Sequence, residues 1–154
     1  MELKIPNSEQ AYWGLRAMKT VALVDGTLDE SERHMLEAVQ RVFGTKHEVD
    51  GLEVITPEEL AAGLPDQQIR RQLMNGLIVM SLIDREVTTE EAQLVERFAS
   101  ALQVSLPEVT NLRHVVKKEL LHLRLDLLCR FWLRETVAEI WDQDGLRGLA
   151  TSVG

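Results

Sequence analysis

The chain has 154 residues, of which 45% are hydrophobic and 27% are charged, a composition typical of one soluble globular domain. Its formal net charge of −8 argues against binding to nucleic acid or to an anionic membrane surface, because both are themselves negatively charged. A single cysteine excludes an intrachain disulfide, and the lack of a long apolar run or a leader-like N-terminus predicts a cytoplasmic protein.

Helix signals dominate the first third of the chain. A first helix is predicted over about 8–24. A second is predicted to begin after Asp29, with Glu32 at its third position completing a capping box, and to end at Gly44. The apolar residues of this second helix recur at helical spacing: Met35, Leu36, Val39, Val42 and Phe43.

The middle of the chain is predicted to contain a loop and two helices. Residues 45–55 lack helical periodicity, and a short extended piece is expected at their end. Thr56 is suited to cap a short helix because proline and glutamate follow it, and the Gly63-Leu64-Pro65 run stops that helix. Asp66 then opens a helix that reaches about Ile83.

The segment from Val21 to Glu32 is repeated 59 residues later, from Met80 to Glu91. Each copy is an apolar helix that runs into an aspartate, Asp25 in the first and Asp84 in the second. An apolar residue follows three positions on, and a new helix starts after it. Such an internal repeat indicates an architecture built from similar structural units.

The second copy continues like the first. Thr88 is suited to cap a helix with Glu91 at its third position, as in the first capping box. Its apolar residues match those of the first copy at the same offset: Leu94, Val95, Phe98, Ala101 and Leu102. The sequence therefore predicts an all-α fold of about seven helices, with pseudo-repeated halves at about 8–44 and 66–104 of a single 1–154 domain.

A third helical region is predicted over 105–144, with a break near His122 and a faint third copy that ends at Asp144. Apolar residues cover more than one face of this region, including Leu123, Leu127, Leu128, Phe131 and Trp132. A helix that is apolar nearly all round must be buried on several sides. We therefore expect a second protomer, or another protein, to cover part of it.

The string from Ala22 to Glu32, with Asp25-Gly26, Leu28 and Asp29 at its defined positions, resembles the signature of the TerB-like family. That family includes tellurite-resistance proteins and a helical domain of a membrane co-chaperone. The resemblance covers about residues 10–104, and Arg85 stands where the second copy would carry glycine. It implies an all-α module without catalytic activity, association of some members with divalent metal, and a role of others in membrane-linked stress complexes.

The acidic residues of the repeat allow two interpretations. In the first, Asp25 and Asp84 accept backbone N–H groups at the helix corners, while Glu32 and Glu91 only complete capping boxes. In the second, Asp25, Asp29, Glu32, Asp84 and Glu91 bind a divalent cation weakly. Ca²⁺ would suit such a site because hard cations take roughly six to eight oxygen ligands. An EF-hand is excluded, since the position that should hold its last glutamate is a leucine.

Three classes of function are compatible with these patterns. The favoured one is a non-catalytic TerB-like interaction module with a weak cation site at the Asp25–Gly26 corner. It would act in a stress response and reach a membrane complex only through other proteins. A metal-free structural or adaptor subunit is the alternative. A metal-dependent enzyme is least favoured, because no general base is assigned and the Glu119–His122 pair occurs only once where a di-iron bundle needs two.

Overall fold

Six α-helices form the part of the chain that the computed structural model describes, residues 3–83 and 87–120. They are α1 (Ser8–Ala22), α2 (Glu30–Phe43), α3 (Pro57–Gly63), α4 (Gln67–Leu82), α5 (Thr89–Ala101) and α6 (Leu106–Leu120). No strand occurs among these residues, so the all-α prediction is confirmed. The predicted break near His122 and the faint third copy lie outside the described residues.

Side-chain caps begin the first five helices where the sequence signals them. The cap residues are Asn7, Asp29, Thr56, Asp66 and Thr88. Gly44 ends α2 with φ of 60°, a left-handed conformation that glycine adopts without steric cost. The first helix is shorter than predicted, because its last turn tightens into a 3₁₀ turn at Leu23–Asp25.

Helix α4 is the centre of the described fold. It packs against α1, α5 and α6, and its buried apolar residues point in several directions around its axis. They are Ile69, Leu73, Met74, Leu77, Ile78, Val79, Met80 and Leu82. A helix that is apolar on most sides is stable in water only when neighbours cover it. None of the helices in the described part of the chain is long and apolar enough to cross a membrane.

Two cations of α1 hold the loop between α2 and α3. Lys19 is only 8% exposed, and its Nζ donates to the carbonyl oxygens of Val49 at 2.7 Å, Leu52 at 2.8 Å and Asp50 at 3.2 Å. Arg16 donates to the next two carbonyls along the chain. The loop contains a 3₁₀ turn at Val49–Gly51, and the backbone is extended at Leu52, where the predicted extended piece begins, without forming a strand. Its course is therefore set by side chains of another helix.

Helix α3 approaches α1 at a glycine. A Cβ atom placed on Gly63 would lie 2.7 Å from Cε2 of Trp13, closer than carbon atoms pack. The indole ring therefore lies directly against the backbone of α3. Glycine at position 63 matters here because it has no side chain. Its backbone conformation is not the reason, since its φ is not in the left-handed region.

Substitution of Gly63 by alanine is expected to lower the free energy of unfolding by about 1–3 kcal/mol, because the added methyl must push the Trp13 ring aside. Urea denaturation measures the effect. Gly51→Ala is the matched control, since a Cβ there meets nothing within 4 Å. Equal midpoints for the two variants would show that the indole moves without cost.

The segment that precedes α1 is hydrogen-bonded to α4 through Lys4. The backbone N–H of Lys4 donates to Oε1 of Gln72 at 2.9 Å, and Nε2 of Gln72 donates back to the Lys4 carbonyl at 2.9 Å. The Lys4 ammonium also pairs with Asp66, the cap of α4. The Lys4 hydrogen bond, together with the N–H groups of Ile69 and Gln68, lowers the pKa of Asp66 below its usual 3.8.

Because folding lowers the pKa of Asp66, its stabilising contribution is complete above the unfolded value and is lost as the pH falls through the folded value. We therefore expect the thermal unfolding midpoint to decrease as the pH is lowered below about 4. Asp66→Asn should flatten this decrease, measured by circular dichroism. A variant that keeps the full acid sensitivity would assign it to other carboxylates, such as Glu59 and Glu108, whose pKa values are also lowered.

Candidate functional site: two acidic helix corners

The first corner joins α1 to α2. Asp25 ends the 3₁₀ turn and is exposed, and its Oδ1 accepts a hydrogen bond from the backbone N–H of Thr27 at 3.2 Å. Gly26 follows with φ of 100°, in the left-handed region that favours glycine. Asp25 thus accepts a backbone N–H within its own turn, which is the contact expected of an aspartate that shapes a corner.

The capping box of α2 completes this corner. Oδ1 of Asp29 accepts the backbone N–H of Glu32 at 2.8 Å, and Oε2 of Glu32 accepts the backbone N–H of Asp29 at 2.9 Å. Glu32 is only 1% exposed. The buried carboxylate of Glu32 therefore accepts a backbone N–H at the start of α2. Left without an acceptor in the protein interior, that N–H would lower the stability of the fold.

The second corner, before α5, has the same cap geometry. Oγ1 of Thr88 accepts the N–H of Glu91 at 3.1 Å, and Oε2 of Glu91 accepts the N–H of Thr88 at 2.9 Å. Glu91 is 4% exposed. Helix α5 also contacts the 3₁₀ turn of the first corner. Asp84, the predicted counterpart of Asp25, lies outside the described residues.

Burial separates these two capping boxes from others in the chain. Glu59 closes the same kind of box at the start of α3, and Glu108 bonds Ser105 at the start of α6. Both of these glutamates are exposed, whereas Glu32 and Glu91 belong to the buried interior. The sequence predicted the boxes but gave no signal of this difference, because burial depends on the helices packed around each corner.

The predicted metal ligands do not converge within the described part of the chain. In residues 3–83 and 87–120, no three His, Cys, Asp or Glu side chains come together in a way that could hold a metal ion. A site that includes Asp84 stays a prediction, since that residue is not described. The side chains of the Glu119–His122 pair, together with Cys129, also fall outside the described residues.

No protein-family model matches the chain, and no curated protein or solved structure matches it. The resemblance to the TerB-like family therefore depends on the repeated acidic segment alone.

Proposed function

We propose that this chain is a non-catalytic helical interaction module of the TerB-like kind, in which the repeated acidic residues stabilise the corners between helices. The burial of Glu32 and Glu91 supports this proposal most directly, because carboxylates that are 1% and 4% exposed are out of reach of a substrate. Each also accepts the N–H of its own cap residue. These contacts suit a role in turning one helix into the next.

The proposal includes two pseudo-repeated halves, at about 8–44 and 66–104. The equivalent capping boxes of α2 and α5, 59 residues apart, favour this arrangement. Both boxes also bury their glutamate, which chance similarity between two amphipathic helices would not require. The helices predicted beyond residue 120 would bring the total to about seven.

The predicted contact surface is the apolar 105–144 region, through which a second protomer or another protein would bind. This fits a cytoplasmic module that reaches a membrane-linked stress complex through other proteins, as the TerB-like resemblance implies. Light scattering of the full chain over a range of concentrations tests self-association. A mass that rises above that of the monomer is expected, and a strictly monomeric mass at high concentration would contradict a homodimer.

Within this proposal, the metal-free version of the module is favoured over a weak cation site at the Asp25–Gly26 corner, because Glu32, one of the predicted ligands, is only 1% exposed and its Oε2 accepts the backbone N–H of Asp29. We therefore expect calorimetric titration of Ca²⁺, Mg²⁺ or Zn²⁺ into chelator-treated protein to give no saturable heat, and the unfolding midpoint to be the same with and without chelator. Asp25→Asn is the matched variant, because it keeps one acceptor oxygen for Thr27. Saturable heat that this substitution abolishes would establish the cation site instead.

A further inference from the structure

Helix α6 carries the densest group of basic side chains in the described part of the chain. They lie within positions 113–118, and the sequence has no acidic residue from Val109 to Lys118: Arg113, His114, Lys117 and Lys118. Residues three and four apart are neighbours on a helix surface, so these side chains lie together. Arg113 is partly exposed and the other three are exposed. These four residues are called the basic flank of α6 below.

Arg113 is the member of the basic flank with unsatisfied hydrogen-bond donors. Its Nε and Nη2 atoms are buried and have no acceptor among the residues that the structure describes. Its Nη1 lies 4.0 Å from Oε1 of Glu96 on α5, which is longer than a hydrogen bond. Buried donors that stay unpaired lower the stability of a fold. The surroundings of Arg113 therefore favour a further acceptor beside Glu96.

The other members of the basic flank also have no acidic partner. Within residues 3–83 and 87–120, no ion pair joins His114, Lys117 or Lys118 to a carboxylate. Arg113 and Lys117 are four residues apart, and like charges at this spacing destabilise a helix. The helix dipole favours the lysines in the last turn of α6, but it does not account for Arg113 one turn earlier. An acidic group that covers the basic flank would relieve this repulsion.

The chain itself contains an acidic segment of complementary charge. Residues 121–154 follow α6 and lie outside the described residues. Within them, the segment 135–144 contains no lysine or arginine and carries four acidic residues: Glu135, Glu139, Asp142 and Asp144. The first three recur at the spacing of one helix face, as the basic residues of α6 do.

Residues 121–134 are long enough to bring this segment back onto α6. A linker of this length spans about 20 Å as a helix and up to about 50 Å when it is extended. Arg113 lies about 10 Å from the end of α6 at Leu120. Exposed ion pairs are individually weak, but a tethered segment meets its site at an effective concentration of about millimolar. The tether therefore favours the segment of the same chain over a separate acidic molecule.

We propose that residues 135–144 fold back on the basic flank of α6, where their carboxylates bind Arg113, Lys117 and Lys118. This contact supplies acceptors for the unpaired nitrogens of Arg113 and shields the basic flank from other acidic ligands. It goes beyond the function proposed above, because it is a contact within one chain. It leaves the apolar residues between 123 and 133 for a partner.

Zero-length cross-linking of the full chain with a water-soluble carbodiimide tests this contact, because the reagent joins a lysine amine only to a carboxylate that it already touches. Mass spectrometry of the digest should show Lys117 or Lys118 linked to a carboxylate of residues 135–144. The yield should fall several-fold in about 1 M salt, because exposed charges are then screened. Lysines that link only to carboxylates of residues 1–120, or to none, would overturn the fold-back.

A one-to-one mixture of unlabelled and isotopically labelled protein separates a contact within one chain from a contact between two copies. The fold-back predicts linked peptides whose two halves carry the same label. Linked peptides that combine the two labels in the statistical proportion would assign the contact to a second copy and overturn the intrachain contact.

The Arg113→Gln variant tests the role of the unpaired guanidinium. It should lower the yield of links between the two lysines and residues 135–144 at least about threefold, although both lysines are still present. Arg41→Gln is the matched control, because Arg41 is exposed on α2 whereas α6 packs against α4 and α5. Equal losses in the two variants would mean that the yield follows net charge alone, which contradicts a specific contact. Circular dichroism confirms that each variant is folded.

The cross-linking experiment and the light-scattering experiment fail independently. Self-association without intrachain links would keep the interaction module and remove the fold-back. Intrachain links in a strictly monomeric chain would keep the fold-back and remove the homodimer.

Discussion

Replacing Lys19 with methionine is expected to lower the free energy of unfolding by about 3 kcal/mol. The methionine fills a similar volume but donates no hydrogen bond. The carbonyls of Val49 and Leu52, which now accept at 2.7 and 2.8 Å in a buried setting, would lose their donor. A buried acceptor left unpaired costs most of its desolvation penalty, and here two lose the same charged donor together.

Urea denaturation by circular dichroism measures this change. Lys46→Met is the matched control, because Lys46 is exposed and its loss should change stability by less than about 0.5 kcal/mol. Hydrogen exchange adds a local test, since the loop around the 3₁₀ turn at Val49–Gly51 should exchange faster in the Lys19 variant. A loss below about 1 kcal/mol would mean that water satisfies these carbonyls equally well.

Replacing Glu91 with alanine is expected to cost about 2 kcal/mol, and replacing it with glutamine less than about 1 kcal/mol. Glutamine keeps a side-chain oxygen for the N–H of Thr88, whereas alanine removes the acceptor and leaves a space in a site that is 4% exposed. The difference between the two variants therefore combines the loss of the hydrogen bond with the loss of packing. Thermal and urea denaturation in parallel measure it.

Glu59→Ala provides the comparison, since Glu59 closes a capping box of the same kind on an exposed surface and should cost less. Equal losses at the two positions would show that burial of the repeated glutamates adds nothing to their caps. Equal effects of glutamine and alanine at position 91 would show that the charge, and not the acceptor, is what matters there.

The helix starts could be predicted from sequence because a cap is local chemistry. Asp29 and Glu32 lie within one helical turn, as do Thr88 and Glu91. The spacing of these residues in the sequence is therefore enough to predict the hydrogen bonds between them. Gly44 is equally local, because only the conformation of one residue decides where α2 ends.

The contacts that fix the loop could not be predicted in this way. Lys19 reaches carbonyls about 30 residues away, and Trp13 packs on a glycine 50 positions later. Neither pairing leaves a periodic or spaced signal, because each depends on how α1 lies against distant segments. The burial of Glu32 and Glu91 likewise depends on packing that their capping boxes do not encode.

The two buried glutamates also change what a shared acidic motif means between proteins. If Glu32 and Glu91 serve only the caps of α2 and α5, another chain with the same acidic residues at the same spacing shares with this one the structure of a helix corner. It need not share a ligand or a pathway. Proteins recognised through this motif would then share a structure but not necessarily a function. Their biological roles would have to be sought on surface residues that differ from one protein to the next.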